Sequence, residues 1–184
     1  MKKIILGLLP SFLPLALAIT LTFGVFYVTV QQNYRMSAND PQIQIAEDIA
    51  SQLEKGAPPQ YFIPQVKIDI SKSLGSFIMI FDGKGNLTAS SGVIDNKALQ
   101  LPQGVFNTTK QKGETRFTWQ PQNNTRIALV VKYYNKPKEG FIAIGRSLRE
   151  VEQREDNLTK IIFVGWIFTL AAVYSLMVLQ KKIS

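Results

Sequence analysis

Gly140-Phe-Ile-Ala-Ile-Gly-Arg-Ser-Leu-Arg-Glu-Val-Glu152 runs through Gln153-Arg-Glu-Asp-Asn-Leu-Thr-Lys160 into an uncharged segment, Ile161 to Gln180, and the rest of the chain is read outward from it. The first residues are a short apolar run that predicts a buried strand. Ser147-Leu-Arg-Glu150 has the spacing of a capping box. In that motif the Ser147 hydroxyl accepts from the backbone N–H three residues on, and Glu150 reaches back to the N–H of Ser147. The residues from Leu148 to Asn157 are rich in charge and therefore wet. From Ile161 onward, roughly 20 apolar residues at about 1.5 Å each match a hydrocarbon core of about 30 Å. No proline follows Gly140, and Gly165 is the only glycine after Gly145. The stretch predicts a strand, a polar helix and a membrane span joined with little slack.

The N-terminus supplies a second span. Met1-Lys-Lys3 precedes an uncharged run from Ile4 to Tyr34. Ala16-Leu-Ala18 has the small-x-small form of a signal-peptidase site, so cleavage there is the competing reading. The apolar run continues to Val30, past the end of an ordinary signal segment, and this favours an uncleaved span. Pro10 and Pro14 predict a kink or a late start, with regular helix from near Leu15. Lys2 and Lys3 flank one span and Lys181 and Lys182 the other, which predicts cytoplasmic termini and an extracytoplasmic centre in a cell-membrane protein of two spans.

Charge and composition narrow the function. The net charge is +8 over 184 residues. Four of the 21 basic residues are those terminal lysines, leaving 17 against 13 acidic residues in between. That mild excess lacks the dense basic face of a nucleic-acid binder. There is no cysteine and no histidine, which removes thiol chemistry, Cys- or His-based metal sites and the usual general base. No patterned serine motif replaces them, so the expectation is a protein that is not an enzyme, with no catalytic residue, no metal and no cofactor.

Between the spans, Gln31 to Asn39 reads as a polar connector. Asp40 as N-cap and Pro41 at the first helical position open a helix whose face carries Ile45, Ile49 and Leu53, with Gly56 as its stop. Gly56 to Pro64 is a loop, and Val66 to Ser73 is either extended or helical. Ser76-Phe-Ile-Met-Ile-Phe81 reads as a buried strand. Asp82-Gly-Lys-Gly-Asn86 is a tight turn, and Leu87 to Ser91 is the returning strand of a hairpin. Gly92 to Gly104 has mixed character, and Val105 to Lys110 suggests a short helix under the sheet. Glu114 to Gln120 alternates, with Thr115, Phe117 and Trp119 on one face. Pro121 to Asn124 is a turn. Arg126 to Tyr134 places Ile127, Leu129, Val131 and Tyr133 on one face and Ala128, Val130, Lys132 and Tyr134 on the other. Phe141 to Arg146 is the last strand. The expected class is α+β, a five-stranded antiparallel sheet with flanking helices between two transmembrane helices. The expected segments are 1–35 (tail and first span), 36–147 (folded domain), 148–160 (juxtamembrane helix) and 161–184 (second span and basic tail).

In this order of elements the chain resembles the extracytoplasmic PAS-like sensor modules, of the Cache type, found in bacterial membrane receptors and especially in sensor histidine kinases. The resemblance rests on Phe77-Ile-Met-Ile-Phe-Asp-Gly-Lys-Gly-Asn-Leu-Thr-Ala-Ser-Ser91 and on Gly140 to Glu152, a last strand entering an outgoing helix. It implies a domain that senses a small molecule and moves a helix into the membrane. The departure is that family receptors continue into a kinase, cyclase or chemotaxis module, whereas this sequence ends at Ser184. Its output is therefore expected from a partner protein.

The polar and aromatic strand residues expected near a ligand are Arg116, Trp119, Arg126, Lys132 and Tyr134, with Arg126 and Lys132 suited to a carboxylate. The competing reading has the basic ones facing water and Trp119 in the core. Leu148, Val151, Leu158 and Ile162 follow a heptad-like spacing that Glu155 interrupts. This face either seals a parallel homodimer or packs on the protein's own domain or first helix. The expected partners are the membrane, a small-molecule ligand, a signalling kinase or envelope protein and a second copy of the chain, but not nucleic acid. The alternative function is a structural accessory protein of a cell-envelope complex with no ligand.

Overall fold

The computed structural model describes the backbone of residues 2–95 and 97–183, with the side chains of residues 2–6 and 98 outside the described part. Lys2 and Lys3, which carry half of the orientation reading, are among those side chains. The chain divides into two compact units, one of residues 1–34 with 153–184 and one of residues 35–152.

In the first unit, helix α1 (Lys2–Ser37) and helix α4 (Arg149–Ile183) are both long and apolar enough to cross a membrane. Their contacts pair Phe12 with Tyr174 edge to face, Trp166 Nε1 donating to Thr20 Oγ1 at 3.0 Å, and Thr159 with the Tyr27 hydroxyl at 3.3 Å. Residue numbers rise on one helix as they fall on the other, so the pair is antiparallel. Gly165 faces the Phe23 ring, where a Cβ would sit 3.4 Å from it. Small residues of this kind let two spans approach. The expected late start of the first helix is corrected, because α1 runs through Pro10 and Pro14. The carbonyl freed by Pro14 belongs to Pro10, so the two prolines disturb one stretch of backbone, which an apolar span tolerates. The polar connector is corrected as well, since helix continues to Ser37.

The second unit is α+β. Helix α2 (Asp40–Glu54) is followed by a single 3-10 turn, Pro59–Phe62, and by strand β1 (Ile68–Asp69). Strands β2 (Phe77–Asp82) and β3 (Leu87–Ser90) form the hairpin. Short strands β4 (Gly92–Ile94) and β5 (Lys97–Ala98) precede helix α3 (Gln103–Lys112). Strands β6 (Glu114–Gln122), β7 (Thr125–Tyr134) and β8 (Gly140–Ser147) complete the domain. The five-stranded sheet has the order β3-β2-β8-β7-β6 and every pairing in it is antiparallel. The last strand is thus the middle one. Six consecutive residues of β8, Gly140 to Gly145, are buried, which is why it reads as a continuous apolar run.

Alternation divides the sheet into two cores. Phe77, Met79, Phe81, Ile127, Leu129, Val131 and Phe141 face α3, where the Phe106 ring lies 5.0 Å from the rings of both Phe81 and Phe141. Ile80, Val130, Tyr134, Ile142 and Ile144 face α2 and its Ala46, Ile49, Ala50 and Leu53. The predicted face assignment of β7 agrees with this division. Sequence reading missed the small second sheet of β1, β4 and β5, where β1 and β4 pair in parallel. Strands of two or three residues leave too short a pattern to read.

Three local expectations shift. The helix cap is Asn39 rather than Asp40, and it makes no side-chain capping bond. Pro121 lies within β6, at a register irregularity between Trp119 and Gln122, and the turn is confined to Asn123 and Asn124. A proline without an N–H is tolerated at such a bulge. The capping box does not form as expected. The Ser147 hydroxyl accepts from the N–H of Arg149, two residues on, at 3.3 Å, and Glu150 instead takes the guanidinium of Arg146 at 2.9 Å. Because Ser147 still belongs to β8, the first helical residue is Arg149 and the box is out of phase by one.

Candidate functional site

One end of the five-stranded sheet carries a groove, and local sequence builds each wall of it. Helix α2 ends in a Schellman arrangement, with Ala57 N–H donating to Gln52 O at 3.1 Å and Gly56 N–H to Leu53 O at 2.9 Å. This requires a left-handed residue, and Gly56 has φ +91. The chain then passes through Pro58 and Pro59.

The second wall is the β2–β3 turn. Asp82 Oδ1 accepts from the N–H groups of Lys84 at 2.9 Å and Asn86 at 2.8 Å, and Oδ2 accepts from the Asn86 amide at 2.9 Å. The Asn86 amide in particular holds the Asp82 carboxyl below its ordinary range. The third wall is the β7–β8 turn, Pro137 to Glu139, which includes the cis bond Lys136–Pro137. The two turns share an end because Asp82 pairs with Gly140 across β2 and β8, and Tyr134 pairs with Gly140 across β7 and β8.

The groove has a volume of about 370 Å³ and is lined by Leu53, Ala57, Pro58, Pro59, Asp82, Thr88, Tyr134, Pro137, Lys138 and Glu139, with Gly56 at its edge. That is within the size of small-molecule sites. Tyr134 is 8 % exposed and lines the groove, and no side-chain hydrogen bond holds its hydroxyl among the described residues. Burial, with the Asp82 charge adding to it, pushes the phenol above its ordinary pKa, so it stays protonated. Glu139 Oε2 accepts from Lys110 at 2.6 Å and from the Tyr133 hydroxyl at 3.0 Å, and these donors lower its pKa.

The five residues expected near a ligand do not converge. Arg116 is exposed and bonded to Glu114 at 2.5 Å. Lys132 bridges Glu47 at 3.0 Å and Glu114 at 3.7 Å. These form one ion-pair cluster at the β6 edge, on the face towards α2. Arg126 pairs with Glu152 of α4 at 2.6 Å. Trp119 packs against the core on the opposite face. Only Tyr134 lines the groove. Sequence reading missed Asp82, Thr88, Lys138 and Glu139 as a group, because they lie on separate turns. The usable signal was the pairing register, which brings those turns to one end.

At the exit from the domain, Leu148 N–H donates to Arg126 O at 2.8 Å and Leu148 O accepts from Glu152 at 2.9 Å. Leu148 therefore precedes α4 rather than opening it. Val151 and Leu158 are half-buried on α4, and Ile162 lines a cleft between α1 and α4 with Phe23 and Trp166. Two arginines at this exit hold the 72–74 loop, with Arg146 Nε donating to Leu74 O at 3.2 Å and an Arg149 guanidinium N–H to Lys72 O at 2.8 Å. No family model matches the chain, and no curated protein matches it. The class that the fold defines is an α+β domain with a five-stranded antiparallel sheet, flanked by two helices of membrane-spanning length.

Proposed function

We propose that the chain is a membrane-anchored, extracytoplasmic sensory module of the PAS-like, Cache type that signals through a partner protein. The observation that carries this reading is the passage from β8 to α4. The central strand of the sheet gives way to the outgoing helix with Leu148 alone between them. A strand hydrogen-bonded on both sides moves with its sheet, so a rearrangement of the sheet is delivered to the helix that leaves it. The Arg126–Glu152 and Arg146–Glu150 pairs tie the first turn of α4 to β7 and β8.

The hairpin, the three following strands and the helices on both faces support the resemblance, because its element order requires them. The terminal lysines support cytoplasmic tails under the positive-inside rule. The partner is then a signalling kinase or another membrane protein that meets the spans. Purification in mild detergent from the native membrane tests this reading. A stoichiometric co-purifying membrane partner supports it, and a lone protomer at every detergent condition counts against it.

The second reading is an envelope accessory protein without a ligand. One observation favours it: Arg116, Arg126 and Lys132 are engaged by Glu114, Glu152 and Glu47. A broad thermal-shift panel on the full chain separates the two readings, because a ligand that binds only the native state raises Tm by mass action.

A further inference from the structure

We propose that the groove between the end of α2 and the β2–β3 and β7–β8 turns binds a small organic ammonium ion with a compact apolar body. This deepens the sensory reading by assigning its ligand site and ligand class.

The walls supply an apolar floor from Leu53, Ala57, Pro58, Pro59 and Pro137. The polar groups that face the groove are mostly acceptors. A carboxylate has about four lone-pair sites. The turn uses two on Asp82 Oδ1 and one on Oδ2, so Oδ2 retains one for a ligand. Glu139 directs Oε2 to Lys110 and Tyr133, which leaves Oε1 without a described hydrogen-bond partner. That side chain lies over Gly83, next to Asp82, where a Cβ would come within 2.7 Å of Oε1. The Thr88 hydroxyl and the Tyr134 hydroxyl, which has no partner among the described residues, can donate or accept. Among the described residues of the lining the one cation is Lys138, which is exposed at the rim.

A ligand rich in N–H donors satisfies this set, whereas an anion would meet the Asp82 carboxylate, the Glu139 charge being already matched by Lys110. The Tyr134 side chain is the independent mark of a site: it is largely buried, it lines the groove, and its hydroxyl has no hydrogen-bond partner among the described residues, so a bound polar group would supply one. Tyr134 cannot relax towards β8, since it packs over Gly140 so closely that no Cβ fits there.

The test is isothermal titration calorimetry on the full chain in lipid nanodiscs, with empty nanodiscs subtracted. The probes are benzylamine, benzyl alcohol and benzoate. Benzylamine is expected to bind saturably, and the alcohol and the carboxylate are not. Asp82→Asn should weaken benzylamine by about tenfold or more, as loss of a hydrogen bond to a charged group implies. Tyr134→Phe should weaken it severalfold. Because Asp82 also holds its turn, Thr88→Trp serves as the second variant; it fills the groove from an exposed position and should abolish binding with Tm unchanged. Equal binding of benzyl alcohol, binding indifferent to Thr88→Trp, or no saturable binding to the folded chain each overturns the proposal. The sensory reading fails separately, if benzylamine binds as described and the helices do not respond. Conversely, a response of the helices to some other molecule, undiminished in Thr88→Trp, would keep the sensory reading and remove this site.

Discussion

At the scale of single residues, several positions carry more than their sequence suggested. Gly140 is the crossing point of the groove, where a side chain would run into the Tyr134 ring and the carbonyl of Phe81. Gly140→Ala should therefore destabilise the domain by about 1–3 kcal/mol, the usual cost of overpacking. Chemical denaturation followed by near-ultraviolet circular dichroism measures it; an unchanged midpoint would mean that β8 can shift at no cost.

Gln42 is fully buried on α2, and neither its amide oxygen nor its nitrogen has a partner among the described residues. An apolar residue of similar shape avoids that cost. Gln42→Met should raise stability by about 1 kcal/mol, and a loss instead would contradict the burial. Asp82 and Glu139 both have lowered carboxyl pKa values in the folded protein, through the Asn86 amide and through Lys110. The unfolded chain then binds more protons at acid pH. Their contribution is complete above the ordinary carboxyl pKa of about 4 and is lost as pH falls through the lowered values. Tm should fall on acidification across that window, and less steeply in Asp82→Asn. Equal slopes for the two proteins would remove Asp82 from the acid limb.

At the scale of elements, legibility followed the length of the pattern. The two faces of β7 were readable because ten residues alternate against two different cores. The buried run of β8 was readable for a related reason: a central strand covered on both faces has no polar side. The stop at Gly56 was readable because the Schellman end needs positive φ there. Nothing lies within 4 Å of a Cβ at Gly56. Gly56→Ala should thus cost about 1 kcal/mol through the backbone alone, and Gly56→Asn less; identical costs would point to packing instead. The capping box at Ser147 failed for a physical reason. β8 keeps its pairing with β7 out to Ser147, so the strand claims the residue that the motif would have used as a cap. The groove was illegible because no single element contains it, and its polar residues fall on turns that only the sheet register brings together.

At the scale of the whole molecule, composition marks two helices of membrane-spanning length and the domain between them, while the proposed sensory function depends on how a domain event reaches a helix. Orientation is open to direct measurement because the chain has no cysteine, so each introduced thiol is the only one. An impermeant maleimide added to intact cells should label Asn123→Cys in the domain and leave Lys181→Cys unlabelled until the cells are opened; the reverse pattern would invert the topology. The most direct test of the sensory account is a distance between the two spans, read while the groove is titrated. Spin labels at exposed Leu9 of α1 and exposed Leu179 of α4, introduced as a double cysteine variant in nanodiscs, report that distance. The account predicts that benzylamine shifts the distance distribution with the same half-saturation as its calorimetric binding, and that Thr88→Trp abolishes the shift. A distribution that stays unchanged while the groove fills would contradict it.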